Sequence, residues 1–157
     1  RKGLIPLAIR NSAKALIVHG DKILLNRCVS RLGIYYALPG GGQHDGELLT
    51  EAVRREVMEE TGLTVEPMRM SAIFERVNEG REGVGSHKMY FVFLCRYLED
   101  VPQKEAVERD AYQTGMEWMT IEKAKKADLF PRVIRENLSS LIGYGETIYL
   151  GSERRGG

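Results

Sequence analysis

The chain has 157 residues, 43% of them hydrophobic, enough to bury one core and too few for a second domain of ordinary size. Its net charge of +1 lacks the clustered cationic excess that duplex nucleic acid requires. No apolar run approaches the roughly 18 residues that span a bilayer, and no signal peptide is legible, so a cytoplasmic protein with no membrane partner is expected.

In chain order, residues 13–18 and 22–28 read as a strand hairpin around Gly20-Asp21. Cys28, in the second of these strands, and Cys95, in a later one, read as small core residues rather than a redox pair. Arg27, Tyr35 and Tyr36 precede the segment Leu38-Pro39-Gly40-Gly41-Gly42, a turn whose glycines permit close approach of backbone to a ligand. Arg27, Tyr36, Gly40, Gly41 and Gly42 are therefore candidates for binding substrate. A helix is expected over 47–61, with Asp45 or Gly46 as N-cap, Glu47 in the favourable first turn and Thr61-Gly62 as its end. His44 and His87 are expected to face solvent.

Residues 68–77 read as a long strand, 78–86 as a loop with glycines at 80, 83 and 85, and 88–98 as a strand buried on both faces. An acidic loop over 103–113 leads to a short strand at 116–119, where Trp118 reads as core packing. Helices follow over 121–127 and 132–141, the second with Pro131 at its first turn, then an edge strand over 147–150. The order fits an α/β fold of the α+β kind, a mixed sheet sandwiched between helices. One domain is expected, with a core over 12–150 and a flexible tail over 151–157.

The helix carries the functional signal. At about 100 degrees per residue, Leu48, Leu49, Ala52, Val53 and Val57 share one sector, and Glu56, Glu59 and Glu60 project into it while Glu51, Arg54 and Met58 point away. Carboxylates three and four apart repel, and in a last turn the helix dipole adds to the cost. A divalent cation compensates such a cluster, because Mg²⁺ or Mn²⁺ prefers carboxylate oxygen and keeps waters and phosphates as its other ligands. No Lys-Ser or Lys-Thr follows the glycines, so they do not form a triphosphate P-loop.

Gly41, Glu47, Arg55-Glu56-Val57, Glu59-Glu60 and Gly62-Leu63 together match G-x5-E-x7-R-E-U-x-E-E-x-G-U, where U is a bulky aliphatic, so the segment from Gly41 to Leu63 resembles the complete box of the Nudix hydrolase family. Lys22 to Leu25, Tyr36 to Gly41 and Glu117 to Met119 are similar to the family's strand openings, extending the likeness over most of 12–127. The resemblance implies an α/β/α sandwich and hydrolysis of a nucleoside diphosphate linked to another group, with divalent metal held by Glu56, Glu59, Glu60 and the Gly41 carbonyl. It implies that Arg55 orients a carboxylate. It leaves the general base open between a box glutamate, Glu56 first, and a loop acid, for which Glu108 and then Asp110 are the candidates.

The substrate is expected to be a small nucleotide. Marks of the ADP-ribose and dinucleoside polyphosphate subgroups are absent, since Asn78 and Gly80 occupy the comparable positions, and no coenzyme A motif is recognisable. A homodimer is left open. The alternatives are a non-catalytic nucleotide-sensing Nudix domain and an acidic helix of purely structural use.

Overall fold

The computed structural model describes residues 8–78, 85–107, 111–143 and 145–155, with the backbone alone for 153–155. The chain runs through β1 (Ile9–His19), β2 (Lys22–Ser30), β3 (Gly33–Ala37), β4 (Gly40–Gly42), α1 (Leu49–Thr61), β5 (Val65–Asn78) and β6 (Ser86–Tyr97). It continues through β7 (Gln113–Thr120), α2 (Ile121–Ala124), β8 (Leu129–Phe130), α3 (Arg132–Glu136), α4 (Leu138–Ile142) and β9 (Ile148–Arg155).

The β1–β2 hairpin forms as expected, but its pairing is confined to Val18 with Ile23 and His19 with Lys22. Beyond those pairs the strands part. β3 then lies on β2 from Asn26 to Ser30, and β4 lies on β1 from Ser12 to Lys14. The glycine segment expected as a turn is thus a short strand seated in the fork. β1 also pairs in parallel with β6, which is antiparallel to β5, and β9 is parallel to β5. β7 covers the other edge of β2, and β8 extends β3.

Alternation along β1 sends Leu16 to one face and Ala13, Ala15 and Ile17 to the other. The first face packs Ile23, Leu25, Val92 and Met119 against Ile134, Leu138 and Leu141 of α3 and α4. The second packs Leu24, Phe93 and Cys95 against Ala52, Val53 and Val57 of α1. The result is a mixed sheet between helices, as the sequence predicts. Cys28 and Cys95 are buried and unlinked, and Trp118 packs in the second cluster beside Tyr97. Among the described residues no helix is long and apolar enough to cross a membrane.

Several boundaries differ for local reasons. α1 starts at Leu49 with Leu48 as N-cap, not Asp45 or Gly46, because the chain first turns back with Glu47 N–H donating to His44 O at 3.1 Å. Leu48 is consequently 65% exposed and leaves the apolar sector. The helix expected over 132–141 breaks at Asn137, whose side chain donates to Val133 O at 2.8 Å, and the one over 121–127 ends at Ala124. Residues 79–84 of the expected glycine loop lie outside the described residues, while Asn78 and Ser86 belong to strands. The tail expected to be flexible from 151 is strand through Arg155, paired with Asn78.

Gly62 ends α1 in the left-handed region (φ 74°), with its N–H on Met58 O. A Cβ there would lie 1.7 Å from Lys104 O. Gly62→Ala should therefore destabilise the protein by at least about 1 kcal/mol, the left-handed cost alone, in urea unfolding; an unchanged midpoint would refute the contact.

Candidate active site

Arg55 organises the acidic end of α1. Its Nε and Nη2 donate to the two oxygens of Glu47 at 2.7 and 3.0 Å, Nη1 donates to Glu56 at 3.0 Å and Glu59 at 3.2 Å, and Nη2 also reaches Gly42 O at 2.8 Å. Glu47 gains a further donor in the N–H of His44. Its hydrogen bond to Arg55, with that backbone donor behind it, lowers its pKa to about 2. The guanidinium is pushed further above its usual range by the same pairing. One planar fork thus gathers groups from the loop, the helix and β4.

Glu60 has a different setting. It is 7% exposed and reaches the fork between β1 and β2, where Asn26 Nδ2 donates to it at 2.8 Å and Gly40 N–H at 3.3 Å. Burial raises its pKa; Asn26, nearby Lys14 and the Gly40 N–H pull it down. Lys14 Nζ itself donates to Gly40 O at 3.0 Å.

Glu56 and Glu60 both reach the wall of a cavity of about 430 Å³ bounded by Gly40, Gly41 and Gly42. Phe74 and Tyr90 stack along it, Tyr35, Tyr112 and Phe130 complete its aromatic lining, and Lys14, Arg76 and Lys88 supply cations. Two expected binders lie elsewhere. Tyr36 packs against the first core cluster, because alternation in β3 gives the cavity to Tyr35 instead. Arg27 donates to Thr114 Oγ1 at 2.8 Å on the β7 side of β2 and does not line the cavity. His44 is exposed as expected, whereas His87 is partly buried against Glu75 at 3.2 Å.

Sequence reasoning missed Lys14, Asn26, Phe74, Arg76, Lys88 and Tyr90. Their only sequence signal is alternation along β1, β5 and β6, and it becomes informative once the strands are in register. Glu108 and Asp110 lie outside the described residues. The loop leading to them is fastened along the end of α1: Gln103 Nε2 donates to Thr61 O, Lys104 N–H to Gly62 O and Val107 N–H to Glu59 O, at 2.8 to 3.0 Å.

The surroundings of the glutamates suit a hard cation. A Cβ on Gly41 would lie 2.6 Å from the Glu56 carboxyl carbon, so glycine is what lets backbone and carboxylate meet. Glu56 adds repulsion to Glu60, whose desolvated charge an adjacent cation would relieve. Among the described residues no three His, Cys, Asp or Glu side chains form a ready-made cage. Glu59, expected beside Glu56 and Glu60, does not line the cavity and is held by Arg55 instead.

A profile of the NUDIX domain matches residues 8–138. The chain belongs to the NUDIX family. It is similar to the human 8-oxo-dGDP phosphatase NUDT18, 35% identical over 100 residues covering 62% of this chain and 28% of that protein. The mouse protein of the same name is 32% identical over 102 residues, covering 60% and 29%. The chain thus spans less than a third of the length of these curated relatives. The MutT protein of Bacillus halodurans shares the Nudix fold, with a TM-score of 0.71 at 24% identity over 92% of this chain and 89% of that one. Hydrolases of this family generally work with divalent metal ions.

The Arg55 cluster predicts a pH dependence. Glu47 has its folded pKa near 2, below its ordinary 4.5, so its stabilising contribution is present above the ordinary value and fades as pH falls toward 2. In chelator, Arg55→Gln should be less stable than wild type near neutrality, and the gap should close in acid. A gap in urea unfolding that is constant from neutrality to about pH 2 would contradict this role for the pair.

Proposed function

We propose that residues 1–157 carry one Nudix domain that cleaves the pyrophosphate linkage of a nucleoside diphosphate joined to another group, with Glu56, Glu59, Glu60 and the Gly41 carbonyl holding Mg²⁺ or, in its place, Mn²⁺. The observation that carries the reading is that two glutamates from one helix, Glu56 and Glu60, share a cavity wall with the glycine strand. The cation supplies charge neutralisation for the pyrophosphate oxygens and Lewis acidity toward water. The chain supplies the rest. Arg55 fixes the rotamers of Glu56 and Glu59, so both carboxylates stand preorganised on one side of the substrate. Asn26 and the Gly40 N–H occupy one oxygen of Glu60 and leave the other for the cation.

Proton removal from the attacking water requires a carboxylate, and one outside the Arg55 cluster is less encumbered than Glu56, whose Oε1 accepts from Arg55. Glu108 is our first candidate and Asp110 the second, supported by the attachment of Val107 N–H to Glu59 O, which fastens the preceding residue to the glutamate turn. The names of the curated relatives make 8-oxo-dGDP a natural compound to include among nucleoside triphosphates and nucleotide sugars in a first screen.

Glu59→Gln and Glu60→Gln should each lower kcat by at least about a hundredfold while the fold survives, because each removes an anionic ligand yet preserves side-chain volume. Near-normal turnover in both would overturn the metal assignment. Nucleotide binding without turnover in the wild-type protein would establish the sensor instead.

Glu108→Gln and Asp110→Asn should leave metal-induced thermal stabilisation intact, while one of them loses kcat and flattens the rise of rate with pH. If both keep wild-type kcat over the accessible pH range, the base is Glu56. Hydrolysis in ¹⁸O-labelled water should place the label on a phosphate product, and excess chelator should stop it; label elsewhere, or chelator-resistant turnover, would reject the chemistry.

A further inference from the structure

At the end of the cavity away from the glutamates, two cations face each other. Arg76 and Lys88 are directly opposed in the β5–β6 register, and both line the cavity. Arg10 is in turn the β1 partner of Lys88, so three like charges stand in one row, which Glu153, the β9 partner of Arg76, continues on the next strand. Like charges placed directly opposite destabilise a sheet. Among the described side chains, no carboxylate pairs with Arg76 or Lys88. The Arg76 guanidinium instead lies over the Phe130 ring, 4.6 Å from its centroid, and its Nε is buried with no hydrogen-bond partner among the described residues. Such groups in a native fold call for a ligand or another explanation.

Distance separates this cationic end from the pyrophosphate site. Gly41 is paired with Ala13 and Lys88 with Arg10. Three residues along β1 span roughly 10 Å, and β4 to β6 is two strand spacings, roughly 10 Å, so the Lys88 backbone stands about 14 Å from that of Gly41. One diphosphate cannot occupy both places. Between them lies the row of Ser12, Tyr90 and Phe74, with the buried Phe74 stacked on Tyr90 at a centroid distance of 6.0 Å, so that the partly exposed Tyr90 ring is the aromatic contact offered to a nucleoside.

We propose that Arg76 and Lys88 form an anion site for a second phosphate carried by the nucleoside, so that this domain prefers nucleotides phosphorylated on the ribose. The proposal rests on the pyrophosphohydrolase reading and deepens it. The scissile linkage sits at the glutamates, the nucleoside against Tyr90, and the ribose phosphate between Arg76 and Lys88, where it neutralises the opposed cations.

NADPH and NADH share a pyrophosphate linkage and differ by one ribose phosphate, and adenosine 3′,5′-bisphosphate and AMP form a matching pair for binding alone. With Mg²⁺ present, NADPH should exceed NADH in kcat/KM by about tenfold or more, the scale of charge-assisted hydrogen bonds to one phosphate. Calorimetry should show the same order for the bisphosphate over AMP. Arg76→Gln and Lys88→Gln should each bring both ratios toward one, and Arg76→Lys should keep most of the preference. Because every reading is a ratio within one protein, loss of folded material cannot imitate the effect. Ratios near one in the wild type, or a preference that survives both glutamine variants, would overturn the proposal. If neither dinucleotide is hydrolysed, the binding ratio alone decides the anion site, and the failure then belongs to the choice of scissile bond.

Discussion

A carboxylate set into the seam of a sheet is costly to desolvate, and the architecture around α1 answers that constraint. Had β1 and β2 continued to pair in the register of Val18 with Ile23, Asn26 would face Ala15. Instead the Ala15 N–H donates to Pro39 O at 2.8 Å, and Asn26 turns its amide to Glu60. The fork exists because the segment after β3 takes over the edge of β1, and side-chain-free glycines let it lie there. Gly40 then supplies Glu60 with a backbone donor. A polar residue beside the core leucines of β2, a glycine strand and a buried glutamate are parts of one solution.

Arg55 solves the other half of the problem. Glu56, Glu59 and Glu60 are spaced to repel along the helix, in the turn where the dipole also opposes them. A single guanidinium spans Glu56 and Glu59 and is itself neutralised by Glu47 from outside the helix. The carboxylates can therefore stay close in the cation-free protein without unwinding α1. The Val107 N–H on Glu59 O and the Lys104 N–H on Gly62 O tie the next loop to the same turn, so helix stability and loop position are coupled.

The parts of this arrangement that were legible in the sequence are those governed by short-range geometry. The glutamates could be placed on the buried side of α1 because helical rotation fixes relative direction over a few turns. Gly62 as its end followed from the same logic. The start failed because Glu47 spent its carboxylate on His44 N–H and Arg55 before the helix began, a choice made by tertiary partners. Tyr35 and Tyr36 had to face opposite ways in a strand, yet only pairing with β2 decides which of them meets the cavity. Asn137 splits the last helix by a local side-chain bond that propensity does not foresee. Lys14, Phe74, Arg76, Lys88 and Tyr90 come from strands far apart in the chain, and no local pattern announces that they line one wall.

That wall has opposite charge at its two ends, and the asymmetry follows from how it is built. The acidic end comes from a helix on the far face of the sheet, whose side chains enter at the fork, whereas the basic end comes from the strands themselves. The two ends therefore answer a nucleotide differently. Without a cation, Glu56 and Glu60 would repel a diphosphate placed beside them, while Arg76 and Lys88 would still attract a phosphate carried on the ribose. Under the proposed reading, affinity at the acidic end would be conditional on metal, and affinity at the basic end would not. If Glu56 and Glu60 hold the cation as proposed, a ligand with negative charge at both ends would be held in one orientation, with its linkage at the glutamates.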